Sequence, residues 1–390
     1  MFISQTPEYA LSPCSLPDSF GKKRGGTGSG KTDKSAVFRP DRDMYVLKRK
    51  NNARRRYAVS FSCLAKIASA DTACLLRWKY LLKGLLEQAT ENDPVTESPL
   101  VIGLAESGII PSAFFHQLLR EKSCPASWIC STRRPAGGIP FTESHSHGPN
   151  HMLPVPGFCP TELCFAEDEI TTGKTLLRLS IRLCRLLHVK KIRIFAFSDH
   201  RTRADREIFL KEMASENIRF SIHILAERDE QNHIPPDMAS EEDPPEPVAD
   251  ILSRESLFPK AEKRTAKPYW EKQWLFPAQR PGLSACSDIR IPVPEKRKGT
   301  LLALGEAVDM GFYIAGNSPE TELRHITLSP WEIDGKYIFS RMEIASRYYI
   351  YNYQTLRHPL FILSDPADLP VAEQAAQQLR DKGFPVEVLN

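Results

Sequence analysis

From residue 57 to residue 225 short apolar runs alternate with stretches of helical spacing, and this alternation limits the fold more than any other feature of the chain. Residues 100–104 form an apolar run that takes in Gly103 near its end, as a buried strand does. Residues 128–130 and 163–166 read as a second and a third strand, 191–197 as a fourth, and 220–225 as the last. Residues 110–119 and 175–187 have helical spacing, and so do residues 72–88, with Leu75, Leu76, Leu81, Leu82, Leu85 and Leu86. A chain written this way lays its strands in parallel and covers both faces of the sheet with helices. The fold class expected is α/β.

The flanks read differently. Residues 1–42 are rich in Pro, Ser, Gly and Lys and show no apolar period, the composition of a disordered tail. Residues 229–298 break the alternation with an acidic, proline-rich stretch, read as a linker or excursion. A second, smaller α/β region is expected over 299–390. Its strand-like runs fall at 300–304, 337–339, 348–353, 359–363 and 386–389, with a helix over 371–382. The main domain then spans 43–228. Nine cysteines without a framework point to reduced thiols in the cytoplasm. No apolar run is long enough to span a membrane. A net charge of +4 on 390 residues gives no reason to expect a nucleic-acid partner. The basic stretch 48–56 reads as solvated surface, with one or two side chains reaching a substrate phosphate.

The chemistry is concentrated in one run, Glu167, Asp168, Glu169, Ile170, Thr171, Thr172, Gly173, Lys174 and Thr175. It joins the third strand to the next helix, where open α/β sheets bind ligands. Such a turn offers free backbone N–H groups and the positive end of a helix dipole. The threonines add hydroxyl donors, and Gly173 lets the backbone approach an anion. Two carboxylates beside a phosphate would repel it unless they face sugar hydroxyls or a cation. Strand, acid pair and threonine–glycine loop together read as a ribose 5-phosphate site. The plainer reading is that Glu167 and Asp168 only cap the helix.

The run from Phe165 to Thr175 resembles the motif by which type I phosphoribosyltransferases bind phosphoribosyl pyrophosphate (PRPP): two apolar residues, two acids, and a Thr-Gly-x-Thr ending. Upstream, Ala105, Glu106, Ser107 and Gly108 resemble that family's pyrophosphate loop, with Glu106 an odd choice unless it helps to hold Mg²⁺. Arg133 and Arg134, after the second strand, resemble its pyrophosphate-contacting pair. The stretch with Glu143, His145, His147 and His151 matches its hood. The wording is closest to the phosphoribosyltransferase-like proteins found beside bacterial tellurite-resistance and stress-response genes. These carry a C-terminal domain named for a Thr-Arg-Ser-Pro motif, here Thr327-Leu328-Ser329-Pro330 with Leu328 in place of the arginine.

The resemblance implies a Mg²⁺-dependent transfer of ribose 5-phosphate to or from a nitrogenous base. Glu167, Asp168, His145 and His147 are then the catalytic candidates, and Thr171 to Thr175 hold the 5-phosphate. Ala105 to Gly108 with Arg133 and Arg134 hold pyrophosphate. Mg²⁺ comes with PRPP, no protein-held metal is expected, and pairing of two copies is left open. The alternative is a non-catalytic PRPP or nucleotide sensor. Two further readings compete. His145, His147 and His151 with Cys159 and Cys164 could bind zinc, although the spacing is loose. Gly25 to Thr32 match the P-loop pattern letter for letter, which would make a nucleoside-triphosphatase, but no buried strand precedes them and no helical period follows, so a flexible tail is the better reading.

Overall fold

The structure is a computed structural model. It describes residues 37–50, 57–134, 138–143, 150–154, 159–227 and 298–389. The P-loop-like segment, Arg54 to Arg56, His145, His147 and the stretch 229–297 lie outside the described residues.

Strands β3 (Pro99–Gly103), β4 (Ser127–Cys130), β7 (Glu162–Ile170), β8 (Lys191–Asp199) and β9 (Arg219–Glu227) form one all-parallel sheet in the order β4-β3-β7-β8-β9. Its helices are α2 (Thr72–Thr90), α3 (Ile109–Glu121), α4 (Lys174–Leu187) and α5 (Arg203–Ser215). β3 is buried along its whole length, as a strand covered on both faces must be. The apolar positions of the sequence supply both covers: Leu75, Trp78, Phe115 and Phe195 pack on one face, Leu163, Leu176, Leu183 and Ile194 on the other. The chain steps from β3 outward to β4, then returns past β3 to β7. The winding of the chain therefore reverses between β3 and β7, the place where ligands bind in open α/β sheets.

Two antiparallel pairs flank this sheet. β1 (Met44–Lys48) pairs with β2 (Tyr57–Phe61), and β5 (Ile139–Thr142) pairs with β6 (Asn150–Leu153). A short helix, α1 (Pro40–Asp43), leads into β1, with Phe38 stacked edge-on against Trp78 and Asp43 ion-paired with Arg77. Residues 37–42, assigned to the tail on composition, are thus tied into the core by an aromatic ring and a buried carboxylate.

The second sheet is also all parallel. It has the order β11 (Thr321–Ile326), β10 (Gly299–Leu304), β14 (Leu360–Leu363), β15 (Val386–Leu389), with α6 (Val308–Asn317) and α7 (Leu369–Arg380). A hairpin of β12 (Arg341–Ile344) and β13 (Tyr348–Tyr351) lies beside it. Two local expectations change here. Residues 337–339 are not a strand, because Asn352 Oδ1 accepts from Phe339 N and holds this segment in a turn ahead of β12. β11, whose charged residues hid its apolar period, runs beside β10.

The two sheets share one core. α6 packs on α2 and α3, with the Phe114 and Phe312 ring centroids 4.6 Å apart. Leu323 and Ala70 exchange both backbone hydrogen bonds, and His325 N donates to Ala65 O at 2.9 Å. Lys50 N donates to Pro330 O, and Glu332 N to Lys48 O. None of the helices among the described residues is long and apolar enough to cross a membrane.

Candidate active site

One cleft, about 960 Å³ with its open mouth, lies at the carboxyl ends of β3 and β7. It is lined by Leu104 to Ser107 on one side and by Glu167 to Leu176 on the other. Arg49, Arg133, Glu143, Leu328 and Ser329 complete the wall. The two motifs chosen from the sequence thus face each other at the switch point of the sheet.

β7 runs on to Ile170, so Glu167 and Asp168 stand within the strand, not in the turn after it. Both are buried. Glu167 Oε1 accepts from Leu104 N at 3.1 Å, which ties the acid to the opposite loop. Burial pushes the Glu167 carboxyl well above the usual range, and the negative charges of Asp168 and Glu143 push it further. Hydroxyl donors or a cation entering between these acids would relieve that repulsion. Neither acid caps α4, whose N-cap is Gly173.

Gly173 sits at φ 76°, the left-handed region. A Cβ there would come within 3.0 Å of Arg201 Cδ, so glycine alone fits without displacement. Thr172 Oγ1 accepts from Lys174 N at 3.4 Å, and the first turn of α4 opens toward the cleft. Backbone N–H groups at the start of a helix suit one phosphate.

The opposite loop is built differently from the expectation. Gly108 lies behind the cleft, where a Cβ would meet Leu104 N at 2.6 Å and Glu167 Oε2 at 2.8 Å. The Ala105–Glu106 peptide is cis. Ala105 N donates to Ser131 Oγ at 2.8 Å, and that hydroxyl also meets His151 Nδ1 at 3.2 Å. Glu106 is buried and surrounded by donors. Thr327 Oγ1 and Leu328 N, both in the second sheet's loop, donate to its two oxygens. Lys66 Nζ lies 3.4 Å from Oε1, and Arg133 Nη1 lies 3.7 Å from Oε2. Burial alone would raise this carboxyl, but its charged and hydroxyl neighbours overcome it and hold it at about 2. His325 Nε2 is 3.5 Å from Glu106, and burial lowers its imidazole to about 4. His325 is therefore neutral at pH 7, and the cations that keep Glu106 ionised are Lys66 and Arg133. Two cations thus face the Glu106 carboxylate.

The two arginines chosen from the sequence part company. Arg133 lines the cleft. Arg134 does not: it reaches Asp365 at 2.8 Å and also Asp368, both in the second sheet's loops. Thr132 Oγ1 and Arg133 N donate to Glu306 at 2.7 and 2.8 Å, which turns Arg134 away from the cleft. His151 is buried, stacked on Phe141, with Nε2 3.6 Å from Glu143. Cys164 is sealed in the core within β7 while Cys159 is exposed, so these two thiols do not converge on one centre. Among the described residues no cluster of three His, Cys, Asp or Glu side chains is arranged to hold a metal ion.

Lys66, Leu328 and Ser329 were not chosen from the sequence. Lys66 lies in a short connection with no motif around it. Leu328 and Ser329 belong to a run that was recognised, but nothing in the chain order placed it against residues 104–107.

Residues 44–228, a little under half of the chain, match a family model described as phosphoribosyl transferase. No curated protein matches. Among solved structures, an APRTase from Giardia lamblia complexed with 9-deazaadenine is similar at 15% identity and a TM-score of 0.34, covering 48% of this chain and 94% of that one. An adenine phosphoribosyltransferase from Rhodothermus marinus is similar at 13% identity and a TM-score of 0.33, covering 48% and 96%. One from Trypanosoma brucei, in complex with AMP, pyrophosphate and ribose-5-phosphate, is similar at 13% identity and a TM-score of 0.30, covering 49% and 92%.

Proposed function

We propose that this chain is a phosphoribosyltransferase that takes PRPP and exchanges its pyrophosphate for a nitrogenous base, a reading supported by the family model matched over residues 44–228. The observation that carries it is the meeting, across one cleft, of the acid–threonine–glycine run with the loop 104–107. Glu167 and Asp168 accept from the ribose 2- and 3-hydroxyls, which lessens the repulsion between them. The turn from Thr171 to Thr175 holds the 5-phosphate through amides and hydroxyls. Ala105 to Ser107 and Arg133 face the pyrophosphate.

In such a transfer the bond from C1 to the pyrophosphate oxygen breaks, and the leaving group takes the electron pair. The base nitrogen forms the new bond to C1. These side chains contribute positioning and charge neutralisation, which act most strongly where charge separates. Mg²⁺ bound with PRPP would further neutralise the pyrophosphate, and Glu167 and Asp168, as hard oxygen donors, would suit such an ion. The catalytic roles of His145 and His147 belong to the same reading, as does synthesis of a nucleotide-like metabolite in a cytoplasmic stress response.

The test is release of pyrophosphate from PRPP with a panel of nitrogenous bases, with mass spectrometry of the products, for wild type and Asp168→Asn. Turnover on one base, lost in the variant, supports the enzyme. Tight PRPP binding without turnover on any base favours a sensor. A wild-type chain that does not bind PRPP sinks both.

A further inference from the structure

The second sheet does more than pack against the first, because it reaches the cleft itself. Thr327, Leu328 and Ser329 follow β11 directly, so the carboxyl end of one strand in each sheet points into the same space. Between the two lies Lys66, which is 2% exposed. Its ammonium donates to Ser107 Oγ at 2.7 Å and approaches Ser329 Oγ at 3.5 Å and Glu106 Oε1 at 3.4 Å. Three N–H donors thus have three oxygen neighbours. The indole of Trp331 lies beneath the ammonium, 5.7 Å from it to the ring centroid.

Ser107 and Ser329 both line the cleft, one from each sheet. A hydroxyl oxygen that accepts from an ammonium turns its own proton outward and makes it a stronger donor. Lys66 is too deeply set to touch a ligand, but its charge reaches the cleft through these two hydroxyls. Glu106, satisfied by Thr327 and Leu328, fixes the distance between the loops.

We propose that Ser329, carried by the second sheet, contacts substrate and acts with Ser107 as a paired hydroxyl donor to the pyrophosphate group, both polarised by Lys66. This rests on the PRPP reading. It gives the second sheet a part in recognising the leaving group, and it makes Lys66, Glu106 and Thr327 positioning residues.

The experiment is titration calorimetry of the full-length chain with two probes, inorganic pyrophosphate and ribose 5-phosphate, for wild type, Ser329→Ala, Ser329→Thr and Ser107→Ala. A hydrogen bond to a charged group corresponds to about ten-fold in affinity. Ser329→Ala and Ser107→Ala should each weaken pyrophosphate by about that factor and change ribose 5-phosphate by less than about two-fold. Ser329→Thr, which keeps the hydroxyl, should restore pyrophosphate binding. The proposal is overturned if Ser329→Ala binds pyrophosphate as wild type does, or if both probes weaken together, which marks a purely structural residue. Wild type binding ribose 5-phosphate but not pyrophosphate overturns it alone. Wild type binding neither probe takes down the PRPP reading as well.

Discussion

The Thr327 hydroxyl, at the end of a strand in the second sheet, donates to the Glu106 carboxylate in a loop of the first. That bond joins two loops 221 residues apart and answers a charge that looked misplaced in the sequence. A buried acid in that loop is tolerable when another part of the chain supplies the donors.

Thr327→Val keeps the shape and removes the donor. It should lower the stability of the full chain by roughly 1.5–3 kcal/mol, the range for a hydrogen bond to a buried charged group. Thr327→Ser should stay close to wild type. Urea unfolding of the three proteins checks this, and equal stability of Val and Ser variants would show that the bond contributes nothing.

Asp168→Asn changes no packing volume but removes a charge that would accept from ribose. Affinity for ribose 5-phosphate should fall about ten- to a hundred-fold, with an unchanged far-ultraviolet circular dichroism spectrum. Affinity within two-fold of wild type would place the sugar elsewhere.

Gly173→Ala forces a side chain into the left-handed region, and its Cβ would press on Arg201 Cδ at 3.0 Å. The loss of stability should be about 1–2 kcal/mol, and phosphate-bearing ligands should bind more weakly. Thermal unfolding with and without ribose 5-phosphate separates the two effects.

Arg133 and Arg134 are neighbours with opposite assignments. Arg133→Met should weaken pyrophosphate binding, since Arg133 lines the cleft. Arg134→Met should lower stability by roughly 3–5 kcal/mol by removing one partner of its pair with the buried Asp365. Once folded, it should bind pyrophosphate within about two-fold of wild type. A reversed pattern in calorimetry would contradict both placements.

Acid should loosen the joint between the sheets in two stages. His325 is held down to about 4 by burial, so the unfolded chain takes up its proton first, from about 6.5 downward. Stability from this group is complete above pH 6.5 and is lost as pH falls toward 4. Glu106, held at about 2, adds stability that is complete above 4.5 and lost below it. Urea midpoints at pH 7.5, 5.5 and 4.5 should therefore decline, and His325→Gln should flatten the decline between the first two. Identical slopes for variant and wild type would assign the acid sensitivity to other groups.

The strands of the first sheet were legible because each is a buried apolar run, and a run of that kind has few other places to go. β11 and the hairpin β5–β6 were missed for the opposite reason. Arg324 and His325 sit in β11 with their charge and ring buried among partners from distant segments, so no local apolar period marks the strand. The turn from Thr171 to Thr175 was legible as a candidate site because its residues lie within one run of nine. Arg134 was misjudged because its partners, Asp365 and Asp368, lie more than 200 residues away.

The sequence alone determined an α/β chain with parallel strands and the loop from Glu167 to Thr175, because both are written in local pattern, in burial period and turn chemistry. Only the tertiary structure decided that the second sheet faces the first across the cleft, that Lys66 stands between Ser107 and Ser329, and that Glu106 meets its donors and cations. Those relationships depend on which buried charges meet once the two sheets share a core, and contacts between segments so far apart in the chain leave no mark on the order of residues within either.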